Sequence, residues 1–174
     1  MNPSFQRIAP DTLRLERVLD APVDTVWRWL VDPALRRQWF AGGTASEHEG
    51  EFEMVFDHDE LSTEPVPYPE RYAKFKGARG RERVLRSEPP RLLVWTWGEG
   101  KEGTVTFELT PQGYKTLLVL THAGISGPAG LKDFGGGWFS HLAVLEGRLA
   151  GTPVADFWAL HARNQAEVER RPAE

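Results

Sequence analysis

Two histidines are the side chains of this sequence best placed to recognise a small molecule. His122 ends the last predicted strand, and His141 lies on the apolar stripe of the longest predicted helix. A buried imidazole needs a hydrogen-bond partner, which either the protein core or a ligand can supply. A satisfied core histidine is the more frequent case, and a polar contact inside a cavity is the alternative that these positions leave open.

Acidic side chains cluster in two further places. The segment Asp57–Glu60 offers four metal-ligating side chains in a row, but adjacent residues rarely converge on one ion, because a hard cation takes several oxygens at defined geometry. Four glutamates from Glu47 to Glu53 recur every second residue and so share one side of an extended strand, opposite Phe52 and Met54. We therefore predict surface roles for both groups and no bound metal.

Motifs of covalent and phosphate chemistry are missing from the sequence. There is no cysteine, which excludes disulfides, thiolate metal sites and a cysteine nucleophile. The segment Gly124–Pro128 departs from a Gly-x-Ser-x-Gly elbow at its last position. The glycine-rich run Gly124–Gly137 lacks the lysine spacing of a phosphate-binding loop, and we predict that it is a flexible entry to the next helix. We predict no catalytic residue and no cofactor.

Aromatic residues are numerous, with seven Trp and nine Phe against three Tyr. Aromatic rings dominate ordinary cores and are also enriched in ligand pockets. The candidate lining of a ligand cavity is drawn from the apolar faces of the predicted strands and helices. These candidates are His141, His122, Trp138, Trp95, Trp97, Trp39, Phe40, Phe52, Met54, Phe56, Phe107, Leu120, Leu142 and Leu145.

Hydrophobic periodicity predicts the elements that would position these residues. An alternating strand covers Thr12–Leu19, and a helix over Pro22–Val31 is followed by a second short helix that begins at Asp32-Pro33. A long exposed excursion is predicted over residues 57–76, with one helical turn around Glu70 to Phe75. The other predicted strands lie at about residues 51–56, 80–87, 92–97, 105–109 and 114–122, and most are joined by the short turns of antiparallel neighbours.

The longest predicted helix, Gly137–Ala150, carries the apolar stripe that can cover one face of this sheet. A short connection and a weakly amphipathic terminal helix follow over residues 153–170. The prediction is therefore one domain spanning residues 1–174, with a core over about 12–151 and a C-terminal extension over 152–174.

The composition excludes several classes of protein. The chain has 174 residues, of which 40% are apolar and 26% charged, as in an ordinary globular domain. The net charge of −4 does not favour a nucleic-acid partner. No apolar run reaches the roughly 18 residues that span a bilayer. No signal peptide is recognised before Arg17, so we expect a cytoplasmic protein without membrane insertion.

An ordered set of short motifs runs through the chain from about Thr12 to Arg170. The motifs are Leu15-Glu16-Arg17, Asp20-Ala21-Pro22 leading to Val26-Trp27, Asp32-Pro33 with Trp39, Glu88-Pro89-Pro90-Arg91-Leu92 leading to Trp97, Val105 to Pro111, Leu120-Thr121-His122, and Gly136-Gly137-Trp138 with Leu142 and Leu145. Together they resemble the START-like (SRPBCC, helix-grip) superfamily, in the branch related to the C-terminal domain of the heat-shock protein 90 ATPase activator. The resemblance implies a curved antiparallel sheet that grips the long C-terminal helix, with a cavity between them.

The combined prediction is an α+β fold with one curved six-stranded antiparallel sheet and two short helices between strands 1 and 2. The leading functional hypothesis is binding of a small hydrophobic or aromatic molecule between the sheet and the long helix, oriented by His141 and His122. One alternative is a protein-binding module that acts on a chaperone in stress response. Another is a lyase, cyclase or hydrolase acting in the same cavity. We expect a monomer or a homodimer.

Overall fold

The structure is a computed structural model that describes residues 4–171. Within these residues the chain forms one antiparallel sheet and four helices. The strands are β1 Ser4–Ala9, β2 Thr12–Leu19, β3 Gly42–Gly43, β4 Gly50–Val55, β5 Arg79–Glu88, β6 Leu92–Thr96, β7 Thr104–Gln112 and β8 Lys115–Ala123. The helices are α1 Val23–Val31, α2 Pro33–Arg36, α3 Gly127–Ala150 and α4 Phe157–Arg170, and two 3-10 segments cover His58–Leu61 and Glu70–Phe75.

The sheet is open and has eight strands in the order β1-β2-β8-β7-β6-β5-β4-β3. The prediction of six strands was wrong because it lacked both edge strands. The large apolar residues of β1, Phe5 and Ile8, lie three positions apart and Ile8 is 53% exposed, so the sequence lacks the alternation that marks a half-buried strand. Strand β3 is only two glycines, which pair with Met54 and Val55 of β4. The two short helices consequently lie between the second and third strands.

A buried arginine explains why β3 forms where sequence periodicity gives no strand signal. Arg36, at the end of α2, is fully buried and donates hydrogen bonds to the carbonyl oxygens of Ala41, Gly42 and Thr44 and to Oγ of Ser46. The donor–acceptor distances lie between 2.7 and 2.9 Å. This guanidinium therefore replaces a regular secondary-structure partner for residues 41–46 and fixes the turn that leads into β4.

Helix α3 begins at Gly127, ten residues before the predicted start at Gly137. Most of the glycine-rich run, from Gly127 onward, is therefore part of the helix, and the prediction of a flexible entry was wrong for these residues. The glycines let α4 pack closely: a Cβ atom on Gly136 would lie 1.9 Å from Oε1 of Gln165. Tertiary packing has overridden the low helix propensity of glycine here. Within residues 4–171, no helix combines the length and apolar character that crossing a bilayer requires.

The excursion over residues 57–76, which we call the strap, lies across the connection between α3 and α4. The backbone N–H of Thr63 donates to the carbonyl oxygen of Val154 at 3.0 Å, and Glu64 donates in the same way to Ala155 at 3.1 Å. Leu61, within the strap, is fully buried. The segment is thus fastened to the C-terminal half of the chain, and it closes one end of the core.

Candidate functional site

Phe40 lies at the centre of an aromatic cluster between α3 and the sheet. It follows α2 in an irregular segment, and its ring centroid is 5.0 Å from that of Trp138 and 5.1 Å from that of His141, both on α3. On the sheet side, the centroid distances from Phe40 are 6.4 Å to Trp95 and 5.8 Å to Trp97. The residue therefore links the helix to the strands that it covers.

The structure brings the predicted lining residues together. Trp95 contacts Phe52 and Phe107 with centroid distances of 5.3 and 4.9 Å, and Trp39 meets Phe107 edge-on at 6.5 Å. Phe56 and Trp97 are partly exposed at one end. The rings and histidines of this aromatic cluster, with the apolar residues packed beside them, are Trp39, Phe40, Phe52, Met54, Phe56, Trp95, Trp97, Phe107, Leu120, His122, Trp138, His141, Leu142 and Leu145.

The rings of the aromatic cluster touch one another, so side chains fill the space between α3 and the sheet. Two concavities of the molecule lie elsewhere. A groove of about 1080 Å³ runs between β1 and the facing parts of α3 and α4, and a smaller one of about 370 Å³ lies beside α2 and β3. A ligand between α3 and the sheet therefore has to displace at least one ring.

Trp95 has a polar group that the fold leaves without a partner. Its side chain is fully buried, and its indole Nε1 has no hydrogen-bond partner among the described residues. The neighbouring tryptophans differ, since Nε1 of Trp39 donates to the carbonyl oxygen of Trp29 at 2.8 Å and Nε1 of Trp138 donates to His122 at 3.0 Å. A buried donor without an acceptor is costly, so Trp95 offers its N–H to any acceptor that enters the cluster.

His122 is satisfied within the chain. Its Nδ1 accepts from Trp138, and its Nε2 lies 2.7 Å from the carbonyl oxygen of Glu102, to which it donates. Burial lowers the pKa of His122, and the hydrogen bond to Glu102 opposes this effect. The ring is therefore a neutral tautomer with hydrogen on Nε2, and a ligand could contact its nitrogens only by breaking one of these bonds.

Only one ring nitrogen of His141, Nδ1, takes part in a hydrogen bond with the described residues. Its Nδ1 lies 2.9 Å from the carbonyl oxygen of Trp39, so the N–H on that atom donates and Nε2 carries the lone pair. Burial, together with the nearby His58, holds the pKa of His141 at about 3. A neutral imidazole with an acceptor nitrogen can receive a hydrogen bond from a hydroxyl or an amide.

Sequence reasoning missed a second group of rings beside His141. The ring of His58 on the strap stacks on Trp158 of α4 with a centroid distance of 5.0 Å, and Tyr72 stacks on the same indole at 5.0 Å. Phe157 contacts both His58 and His141. The prediction treated the strap as exposed, although its segment Pro65–Pro69 holds a valine and a tyrosine that signal burial.

The carboxylates of both acidic groups adopt the surface roles predicted for them, but His58 of the segment Asp57–Glu60 packs against aromatic rings, so the prediction was wrong for that residue. Asp59 pairs with Lys76 at 2.5 Å, and Glu60 pairs with Arg37. On the outer face of β4, Glu53 forms an ion pair with Arg79 of the adjacent strand. Within residues 4–171, no group of three histidine or carboxylate side chains is arranged to hold a metal ion.

The sequence profile of the family described as "Activator of Hsp90 ATPase homolog 1-like protein" matches residues 20–150. The chain belongs to this family. The resemblance to the START-like superfamily is thereby confirmed, and solved structures of this fold align with nearly the whole chain. Among curated proteins, none matches the sequence.

Three solved structures show how far the likeness to other members of this fold extends. A Bordetella parapertussis protein solved by NMR is 38% identical, covering 99% of this chain and 92% of that one, with a TM-score of 0.81. CalU16 from Micromonospora echinospora is 23% identical, covering 98% and 100%, with a TM-score of 0.68. The Aha1 dimer from Colwellia psychrerythraea is 16% identical, covering 81% and 97%, with a TM-score of 0.60. The last two share the fold with this member of the Activator of Hsp90 ATPase family.

Proposed function

We propose that this protein binds a small planar aromatic molecule with a hydrogen-bond acceptor between α3 and the sheet. The observation that carries the proposal is the fully buried indole N–H of Trp95, which lacks a partner in the middle of an aromatic cluster. The neighbouring rings of Phe52 and Phe107 offer apolar and stacking contacts, which supply the affinity. The indole N–H then supplies orientation, as do the few polar groups of most ligand pockets.

Entry of such a molecule requires one ring to move, and Phe40 is the best suited to do so. It lies between α2 and β3, outside regular secondary structure, whereas Trp95 and Phe107 are held on strands and Trp138 on a helix. Its ring lies almost parallel to that of Trp95, at an interplanar angle of 7°. A planar ligand that displaces Phe40 would therefore lie parallel to the indole of Trp95 and offset from it, so that an acceptor atom can reach the N–H at the edge of the indole ring.

His141 completes the polar chemistry of the proposed site. Its centroid lies 5.1 Å from that of Phe40, so a ligand that replaces this ring comes within reach of the imidazole. Because Nδ1 is engaged with Trp39, the unprotonated Nε2 is the atom available to accept. A phenol or another hydroxylated aromatic ring could thus accept from Trp95 and donate to His141.

The substitution Trp95→Phe tests the proposal, because it removes the N–H and retains an aromatic ring. Hydroxylated planar aromatics and fatty acids are titrated by calorimetry into wild type and variant. We expect saturable binding of an aromatic compound, weakened by about 5–30-fold in Trp95→Phe, which is the usual effect of losing one hydrogen bond. The matched control is Trp27→Phe, since Trp27 also has a buried, unpartnered indole N–H but belongs to α1. Equal affinity in all three proteins, or no saturable binding, contradicts the proposal.

A second candidate function, binding to a chaperone, is favoured by the family match over residues 20–150 and by the filled space between α3 and the sheet. A protein that acts through its surface needs no internal cavity. Purified heat-shock protein 90 is the partner to test, with ATPase rate and co-sedimentation as the two measurements. Stimulation of the ATPase, unchanged in Trp95→Phe, would support this candidate over ligand binding.

A further inference from the structure

Three histidines from three separate elements meet next to the aromatic cluster. His58 belongs to the strap, His141 to α3 and His161 to α4. The ring centroids of His58 and His141 are 5.5 Å apart, and Phe157 lies against all three rings at 5.3, 5.1 and 5.9 Å. We call His58, His141 and His161 the histidine cluster.

The histidine cluster lies where the strap covers the end of the core. The hydroxyl of Tyr68 accepts from the backbone N–H of His58 at 2.6 Å, and the ring of Tyr68 contacts Trp158 of α4. Ser62 accepts a hydrogen bond from the backbone N–H of Phe157 through its Oγ at 2.8 Å. Leu61 is the fully buried anchor at the start of the strap. Beyond this anchor, the strap is fastened by backbone hydrogen bonds of Thr63 and Glu64 and by the ring contacts around the histidines.

Nearby charges raise and lower the pKa values of the histidine cluster, and the effect of burial is larger than that of any of them. Burial holds the pKa of His58 at about 4 and that of His141 at about 3, and it also lowers the pKa of His161. The three rings are therefore neutral at neutral pH. The charged and titratable groups that face them are Asp59, Tyr68, Arg71, Tyr72 and Lys76 of the strap and Asp133 of α3, together with the carbonyl oxygen of Trp39.

We propose that protonation of the histidine cluster releases the strap from α3 and α4 and opens the aromatic cluster at His141. Two adjacent imidazolium rings repel each other, and each loses its favourable packing against aromatic neighbours when it must be hydrated. The nearby carboxylates compensate little of this repulsion, because Asp59 is already paired with Lys76 and Asp133 acts on His161 against the cation of Arg71. The inference rests on the proposed function, because opening of the strap at low pH would expose the same ligand site between α3 and the sheet. We call this opening the gate.

Proton linkage sets the size of the effect. In the opened strap a histidine titrates near its ordinary pKa of about 6.5, whereas His58 in the closed strap titrates at about 4. The opened form therefore binds more protons mainly between about pH 4 and about pH 6.5. At about pH 5 this favours the opened strap by about 30-fold relative to neutral pH for each histidine that behaves as His58 does.

Hydrogen exchange of the strap tests the gate without any ligand. The reporters are the amides of Thr63 and Glu64, which are hydrogen-bonded to the connection before α4, and the reference is the amide of Leu120 in β8. Protection factors, corrected for intrinsic exchange, are measured at about pH 7.5 and about pH 5. The variant His58→Phe keeps a ring but cannot titrate, and His48→Gln, at an exposed histidine outside the cluster, is the matched control.

We expect the protection of the reporter amides in wild type and His48→Gln to fall at least about 30-fold on acidification. In His58→Phe, protection of the reporter amides should fall about 30-fold less than in wild type, because one titrating ring is absent. The proposed opening of the strap is wrong if the amides of Thr63 and Glu64 are as protected as that of Leu120 at both pH values, because they would then exchange only through global unfolding. It is also wrong if His58→Phe shows the full fall. Because no ligand is present, neither outcome depends on the affinity measured with Trp95→Phe.

Discussion

The indole Nε1 of Trp138 on α3 donates a 3.0 Å hydrogen bond to Nδ1 of His122 on β8. This bond ties the helix to the middle of the sheet, and it fixes the protonation of His122, because the other ring nitrogen donates to Glu102. The histidine that sequence analysis offered as a ligand contact thus already has both nitrogens engaged. Its pairing makes His122 a structural residue unless a ligand breaks one of these two bonds.

The substitution Trp138→Phe removes the donor and leaves Nδ1 of His122 buried without a partner. We expect the free energy of unfolding to fall by about 1–3 kcal/mol more than in Trp27→Phe, which makes the same change in ring size without breaking a hydrogen bond. Urea denaturation with a common slope measures the difference. Equal losses in the two variants would show that the bond to His122 contributes nothing.

Glycine spacing on α3 allows a second prediction about stability. A Cβ atom on Gly136 would overlap Gln165, whereas one on Gly137 would meet no atom within 4 Å. Gly136→Ala should therefore destabilise by about 1–3 kcal/mol through overpacking, and Gly137→Ala should stabilise by up to about 1 kcal/mol through helix propensity. Thermal melts of both variants decide this. Adding Gln165→Ala to Gly136→Ala should restore part of the loss, and failure to do so would locate the strain elsewhere.

Sequence periodicity was sufficient where an element buries one clean face. The prediction for Thr12–Leu19 coincides with β2, and the helical turn predicted near Glu70–Phe75 coincides with a 3-10 segment. It failed where a distant partner determines the conformation. The first half of α3 reads as a glycine-rich loop until α4 is packed on it, and β3 depends on the buried guanidinium of Arg36.

The candidate site could be foreseen only in part, for a similar reason. The fourteen predicted lining residues do come together, since each lies on the apolar face of a predicted element. The missing partners, His58 and Trp158, reach His141 and its surroundings only because the strap folds back over α4. Such a return depends on backbone pairing between Thr63 and Val154, which has no local sequence signal.

The pair Arg36 and Arg37 offers a third prediction, because adjacent arginines have opposite environments. Arg36 is fully buried with four hydrogen bonds, and burial lowers its pKa to about 10. Lysine cannot reproduce the planar donor geometry, so Arg36→Lys should destabilise by about 2–4 kcal/mol. Arg37→Lys keeps a cation beside Glu60 at the surface and should leave stability close to that of wild type. Chemical denaturation of both variants measures the contrast, and similar stabilities would refute it.

Acid should destabilise the whole fold through His141, and the sign follows from its folded-state pKa of about 3. Because this value lies below the ordinary 6.5, the unfolded chain binds more protons, so stability is complete above about pH 6.5 and is lost as pH falls towards 3. The loss of stability from this residue alone should reach about 2 kcal/mol at pH 5.

Burial raises the pKa of Glu82, which changes stability with pH in the opposite direction, so wild type must be compared with a variant. His141→Gln should be less stable at neutral pH, yet lose about 2 kcal/mol less between about pH 7.5 and 5 in urea titrations. Parallel pH profiles for the two proteins would mean that His141 is not held neutral by its burial.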